Sequence, residues 1–455
     1  MGSPLYGGAG RVEPDAGPGR YYRPDCRRIA GSGGEMTMRG VIMGLLVAGL
    51  AALTVPAWWV HRYDIAPSWV HLPVDGLLGP VRVMQAMGRQ DGPVVMLLSG
   101  PEGWDARSGH LARRLVHAGV VVIGLDLKEV TARVAAADGE CVDPSWALQD
   151  VAHAAQRGLG LKRYQLPVLA GIGAGADMAV AMAGTGTPAI LGGAVAVDEA
   201  KGPLPKPFCA NPQGAQVPVV RPSGGGRPGE RLIAEMARRV EAQGADELSD
   251  LPLTELPAEA KHGVLAIVYS GDGGWRDLDK DIAEYLQSQG VPTVGLDMLR
   301  YYWAWRSPED SAVDLSRLIT HYRKAWGVEK VVLVGYSFGA DVMPALYNLL
   351  PAEQRDSVVQ VSLLALSARA NFEVTVGEFL TANSESTQPT KPDLDRIAPS
   401  KLQCFEGRED ADGVCDTLVG TGVEVVATEG GHHFDGNYEA LAARILAGVE
   451  TRMGR

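Results

Sequence analysis

The chain repeats itself, and the repeat narrows the folds open to it. The stretch PVVMLLSGPEGWDARSGHLARRLVHAGVVVIGLDL, from Pro93, is echoed by GVLAIVYSGDGGWRDLDKDIAEYLQSQGVPTVGLDM, from Gly263. At one constant offset Ser99, Gly103, Trp104, Gly124 and Asp126 match Ser270, Gly274, Trp275, Gly295 and Asp297. Each copy reads as an apolar strand, a Gly-rich turn, an amphipathic helix and a second apolar strand, which is a βαβ unit of a parallel sheet. The copies continue in register: LPVLAGIGAGADMAVAM from Leu166 parallels KVVLVGYSFGADVMPAL from Lys330. The sequence therefore predicts an α/β protein of two tandem, mostly parallel-sheet domains, 65–210 and 247–455. A linker with a short helix joins them over 211–246.

A repeat is also an internal control, since what both copies keep belongs to the fold. Asp126 and Asp177 have partners in Asp297 and Asp341, so all four read as structural. What one copy keeps alone is a candidate for chemistry. GYSFGAD in the second copy faces GIGAGAD in the first, so Ser337 is replaced by Gly173 and the first copy is degenerate. Asp272 faces Pro101 and is likewise private to the second copy.

G-x-S-x-G between a buried strand and a helix is the pattern of a nucleophile elbow, and it makes the second domain an α/β-hydrolase with Ser337 as nucleophile. A serine hydroxyl needs a base within hydrogen-bond reach and a third group to orient that base. The base belongs on a loop after the last strand, where EGGHHFDGN offers His432, with His433 as the alternate. The acid belongs after the penultimate strand, in FEGREDADGVCD. Spacing alone does not separate Asp410 from Asp412. The oxyanion hole calls for two backbone N–H groups, which would come from Phe338 and from Asp272 in the turn SGDGGW.

Composition bounds the partners. A net charge of −12 argues against nucleic acid, whose phosphates need a basic face. No cysteine or histidine cluster has metal-ligand spacing, and no cofactor is called for. Residues 41–60 are mostly apolar after Arg39, long enough for the core of an export signal or a membrane anchor within 36–62. The Gly/Pro-rich residues 1–35 resemble no export leader and read as a disordered or non-native start. Four of the five cysteines follow the export segment, as an oxidising compartment would show. Of the three pairings, Cys141–Cys209 and Cys404–Cys415 keep each bridge within one half.

The ordered set SGDGGWRDLDK, GLDMLRYYW, VLVGYSFGAD, CFEGREDADGVC and GGHHFDGNY resembles the VirJ/AcvB family of bacterial virulence proteins. The layout, with its degenerate first copy, is similar to the longer, two-domain form. The resemblance implies a periplasmic serine hydrolase, anchored to the inner membrane if 41–60 is retained. Its substrate would be an aminoacylated phospholipid at the membrane surface, lysyl-phosphatidylglycerol, cleaved to lysine and phosphatidylglycerol. It also implies a link to type IV secretion, and Asp412 as the acid. Asp272 and the aromatic run at Tyr301, Tyr302 and Trp303 are candidates to touch substrate; the run reads either as an exposed interfacial patch or as a core lid. The competing reading is a non-enzymatic adaptor or chaperone for secretion.

Overall fold

The carboxyl ends of two buried parallel strands meet in each half of the molecule, and the topology explains why. In the computed structural model, residues 68–72, 76–86, 92–211, 217–242, 247–374 and 387–454 are described. The expected leader 1–35 and the export segment 36–62 lie outside them. No helix among the described residues is long and apolar enough to cross a membrane.

The first half carries β1 (Ser68–Leu72), β2 (Val81–Gln85), β3 (Val94–Leu98), β4 (Val121–Leu125), β5 (Val168–Ile172), β6 (Gly193–Val197) and β7 (Val219–Val220). Its helices are α1 (Ala106–His117), α2 (Leu127–Ala136), α3 (Ser145–Gly158), α4 (Ala174–Ala183) and α5 (Pro228–Ala242). The second half carries β8 (Leu253–Leu256), β9 (Val264–Tyr269), β10 (Thr293–Leu296), β11 (Lys330–Tyr336) and β12 (Val358–Leu364). A short ribbon, β13 (Arg369–Asn371) with β14 (Thr387–Pro389), precedes β15 (Leu402–Gly407) and β16 (Glu424–Thr428). The main helices of this half are α6 (Asp277–Ser288), α7 (Pro308–Trp326), α8 (Phe338–Leu349) and α9 (Tyr438–Arg452).

Each half is built on a seven-stranded sheet, ordered β1-β2-β4-β3-β5-β6-β7 in the first and β8-β10-β9-β11-β12-β15-β16 in the second. β2 and β8 run antiparallel to their neighbours β4 and β10, while β4-β3-β5-β6 and β10-β9-β11-β12 are parallel. Every residue of β3 and of β9 is buried, the mark of strands covered on both faces. From β9 the chain steps to β10 on one side, and β11 then lies on the other. The crevice at the carboxyl ends of β9 and β11 is thus a topological switch point, where open α/β sheets hold their ligands.

The repeated residues prove to be joinery. Gly124 and Gly295 make room for the indoles of Trp104 and Trp275, which a Cβ would meet at 2.4 and 2.1 Å. Asp126 accepts the Trp104 N–H at 2.9 Å and caps α2, and Asp297 caps the turn at Met298–Tyr301. Ser99 and Ser270 Oγ each accept the first N–H of the helical turn that follows, both at 2.9 Å. Asp177 accepts the N–H groups of Lys201 and Gly202, and Asp341 accepts that of Ser367 at 2.7 Å, each tying its helix to the loop after the next strand.

Both expected disulfides form, Cys141–Cys209 and Cys404–Cys415, as in proteins of oxidising compartments. The aromatic run takes the core alternative. Tyr301, Tyr302 and Trp303 are 0%, 0% and 1% exposed, so they form core and not an interfacial patch. Tyr301 and Tyr302 pack among residues of their own half, with Arg306 over Tyr301 and Phe338 and Phe372 against Tyr302. Trp303 is covered from the other half: Arg157 of α3 stacks on its ring at 3.8 Å. It also donates to the carbonyls of Trp303 and Val374 at 2.7 and 2.6 Å. One apolar cluster runs through both halves.

Candidate active site

The elbow at Ser337 is a strained backbone held by glycines. Ser337 has φ +50° and ψ −116°, outside the conformations a side chain prefers, and its N–H donates to Leu364 O at 2.8 Å. A Cβ on Gly335 would sit 2.5 Å from Gly339 O, and one on Gly339 would sit 2.4 Å from Tyr269 O. Neither position tolerates a side chain, which is why the motif needs both glycines.

Ser337 Oγ and His432 Nε2 are 2.7 Å apart, and His432 Nδ1 lies 2.9 Å from Asp410 Oδ2. The carboxylate on the imidazole is therefore Asp410 and not Asp412, which is exposed. The reason is local. After β15 the Arg408 and Glu409 N–H groups donate to Thr428 O and Gly430 O, both at 2.9 Å, zipping the acid loop to the histidine loop. That pairing leaves the Asp410 side chain 5% exposed, against His432. The Asp412 N–H instead donates back to Asp410 Oδ1 at 3.3 Å. Gly407 permits the two loops to touch, since a Cβ there would lie 2.2 Å from Gly431 O. The Cys404–Cys415 bridge closes the segment that carries Asp410.

The turn after β9 presents the second candidate donor. The Gly271 carbonyl accepts Gly274 N–H at 3.1 Å and Ser270 Oγ at 3.0 Å. A trans peptide then directs the Asp272 N–H the opposite way. A Cβ on Gly271 would come within 3.8 Å of Ser337 Cβ, so this turn borders the nucleophile. Phe338 is the first residue of α8, and its N–H has no acceptor within the helix. Tyr302 packs behind Phe338 with ring centroids 5.2 Å apart. That is where the candidate substrate residues end up: Asp272 exposed at the turn, Tyr302 buried behind Phe338, and Tyr301 and Trp303 in the core.

Tyr336 escaped the sequence reading. Its hydroxyl lies 2.8 Å from His433 Nδ1 and 3.3 Å from the His432 carbonyl. One hydroxyl proton serves both contacts if it is donated to His432 O while His433 Nδ1–H donates to the phenol oxygen. Burial pushes the phenol well above its ordinary pKa, so it stays protonated. The signal was available, since the first copy has Ile172 at this position. Tyr336→Phe should lower kcat by roughly 3- to 10-fold, the worth of one hydrogen bond, with KM within about twofold. Steady-state kinetics checks this.

Burial pushes the Asp341 carboxyl up to about 7, with Asp272 and Asp410 adding to the effect. A raised carboxylate favours the neutral form in the fold. Its contribution is full below the ordinary carboxylate pKa near 4 and is lost as pH rises through about 7. Asp341→Asn, which keeps an acceptor for the Ser367 N–H, should flatten the decline in stability between pH 5 and 8. Urea midpoints at the two pH values measure it. An unchanged pH slope would contradict the assignment.

The first half keeps the elbow without its side chain. Gly173 has φ +61° and ψ −124°, and its N–H donates to Val197 O at 2.9 Å, as Ser337 does to Leu364. Its turn is clamped alike, Gly100 O accepting Gly103 N–H at 3.0 Å and Ser99 Oγ at 3.1 Å. The residue that follows is Pro101, which has no N–H to offer. The serine and the second candidate donor are both gone.

Residues 263–453 match the family model described as bacterial virulence protein VirJ. No curated protein sequence matches the chain significantly. Among solved structures the chain is similar to Est1E from Butyrivibrio proteoclasticus, at 14% identity over 45% of this chain and 93% of that one, with a TM-score of 0.32. It is also similar to YbtT, a type II thioesterase of the yersiniabactin pathway, at 15% identity over 44% and 98%, TM-score 0.32. A third is the esterase Pf2001 of Pyrococcus furiosus, at 12% identity over 45% and 93%, TM-score 0.31.

Proposed function

We propose, from the match of residues 263–453 to the family model described as bacterial virulence protein VirJ, that this chain is a serine esterase of aminoacylated phospholipids. Lysyl-phosphatidylglycerol is the substrate the reading names, and the periplasm its place of action. The observation that carries it is the unbroken line Ser337 Oγ, His432, Asp410, at 2.7 and 2.9 Å.

Ser337 Oγ attacks the aminoacyl carbonyl as His432 Nε2 takes its proton, and Asp410 holds the Nδ1–H tautomer and steadies the imidazolium. The N–H groups of Phe338 and Asp272 receive the oxyanion. Collapse expels the glycerol oxygen of phosphatidylglycerol, which His432 protonates. Water, deprotonated by His432, then cleaves the acyl-serine and frees lysine. The exposed Asp272 carboxylate beside the turn suits the ammonium groups of the lysyl moiety. Hydrolysis would change the charge of the membrane surface, and the family's tie to secretion would follow from that change in lipid composition.

Lysine release from lysyl-phosphatidylglycerol vesicles, before and after stoichiometric labelling with a fluorophosphonate, tests both levels. Release that stops on labelling supports substrate and nucleophile together. Labelling without prior release removes the lipid and leaves the esterase. A folded chain that neither labels nor releases lysine removes both.

A further inference from the structure

The first half has lost its chemistry but not its cleft. A cavity of about 830 Å³ lies at the carboxyl end of β3, bordered by the Ser99–Gly103 turn, by Ile172 before the empty elbow, and by the loop entering α5. Those are the places that hold the Asp272 turn, Tyr336 and the His432 loop in the second half. The floor is apolar, with Leu97, Leu111 and Ile172, and α1 presents Arg107 and Arg114 along its edge. The two are seven residues apart and so share one helix face.

The repeat again separates fold from function. Arg107 and Arg114 stand where the second half has Leu278 and Tyr285, so both guanidinium groups are private to the first. Conversely, Asp272, Asp277 and Asp281 are replaced by Pro101, Ala106 and His110. Both arginines are exposed, and neither is in an ion pair among the described residues. Of the acids at the cavity, Asp105 caps α1 and also lies within electrostatic reach of Arg107, Glu230 lies 3.5 Å from Arg227, and Glu102 is the third.

We propose that this cleft binds an amphipathic oxyanion and holds it without hydrolysis. An apolar tail would lie on the floor, and a phosphate or carboxylate would engage Arg107 and Arg114, whose planar forks suit such groups. The site is separate from the esterase centre, and its test does not require turnover.

The test uses the full chain carrying Ser337→Ala, titrated by calorimetry with lysophosphatidylglycerol below its micellar concentration, with oleate, with inorganic phosphate and with dodecyl maltoside. Micromolar binding of one or both tailed anions is expected, with phosphate and the neutral detergent at least tenfold weaker. Arg107→Glu/Arg114→Glu should weaken it by more than tenfold. So should Gly100→Leu, because Gly100 lines the cavity and a Cβ there meets nothing within 4 Å. With Ser337 restored, both variants should keep the parent's reaction with fluorophosphonate. Lipid binding undiminished in both would place the ligand in the second half and overturn the proposal. Phosphate bound as tightly as the tailed anions would do the same, and so would detergent.

Discussion

Ser337→Ala should lower ester hydrolysis by roughly 10⁴- to 10⁶-fold, the scale on which removal of an attacking serine acts, while leaving the fold intact. The hydroxyl is the one group 2.7 Å from His432 Nε2, and its loss leaves the imidazole without a proton to take. The backbone has no reason to move, since glycine holds the same turn in the first half at φ +61° beside +50° here. Turnover and melting temperature measured together decide it. A folded Ser337→Ala protein within tenfold of the parent would exclude an acyl-serine.

Asp410→Asn should come next, with kcat down by about 10³- to 10⁴-fold, whereas Asp412→Asn stays within about threefold. An asparagine amide at 410 can donate to His432 Nδ1. The ring would then carry its hydrogen on Nε2, facing Ser337, where it no longer accepts the serine proton. Asp412 is exposed and touches this network only through its own N–H. The two substitutions remove the same charge from one loop, so a shared electrostatic effect would lower both equally. An equal fall, or a larger one for Asp412→Asn, would return the acid to position 412.

The fold was legible because repetition and strand burial are local signals. Two βαβ patterns at a fixed offset became two sheets with matching central order, and four cysteines paired within their own halves. Ser337 and His432 were legible because each sits in a turn that its flanking glycines announce. The acid was not, because its choice depends on how the Arg408–Glu409 backbone pairs with Thr428 and Gly430. Nothing in the spelling of REDAD records that pairing. The interfacial alternative for the aromatic run fails for a related reason. Exposure by position ignores a cover supplied from 146 residues away, the separation of Arg157 from Trp303. Tyr336 needed only a stricter use of the comparison between copies.

The grip of Arg157 on Trp303 and Val374 also bears on how the molecule comes apart. Those bonds, with the Arg163–Asp250 pair across the same seam, tie each half to the other. A fragment beginning after the linker would show Trp303 to water and become sticky. In a calorimeter the two sheets should melt in a single cooperative event. The half without the elbow serine is thus a partner in folding for the half that has it, and selection can preserve it on that ground alone.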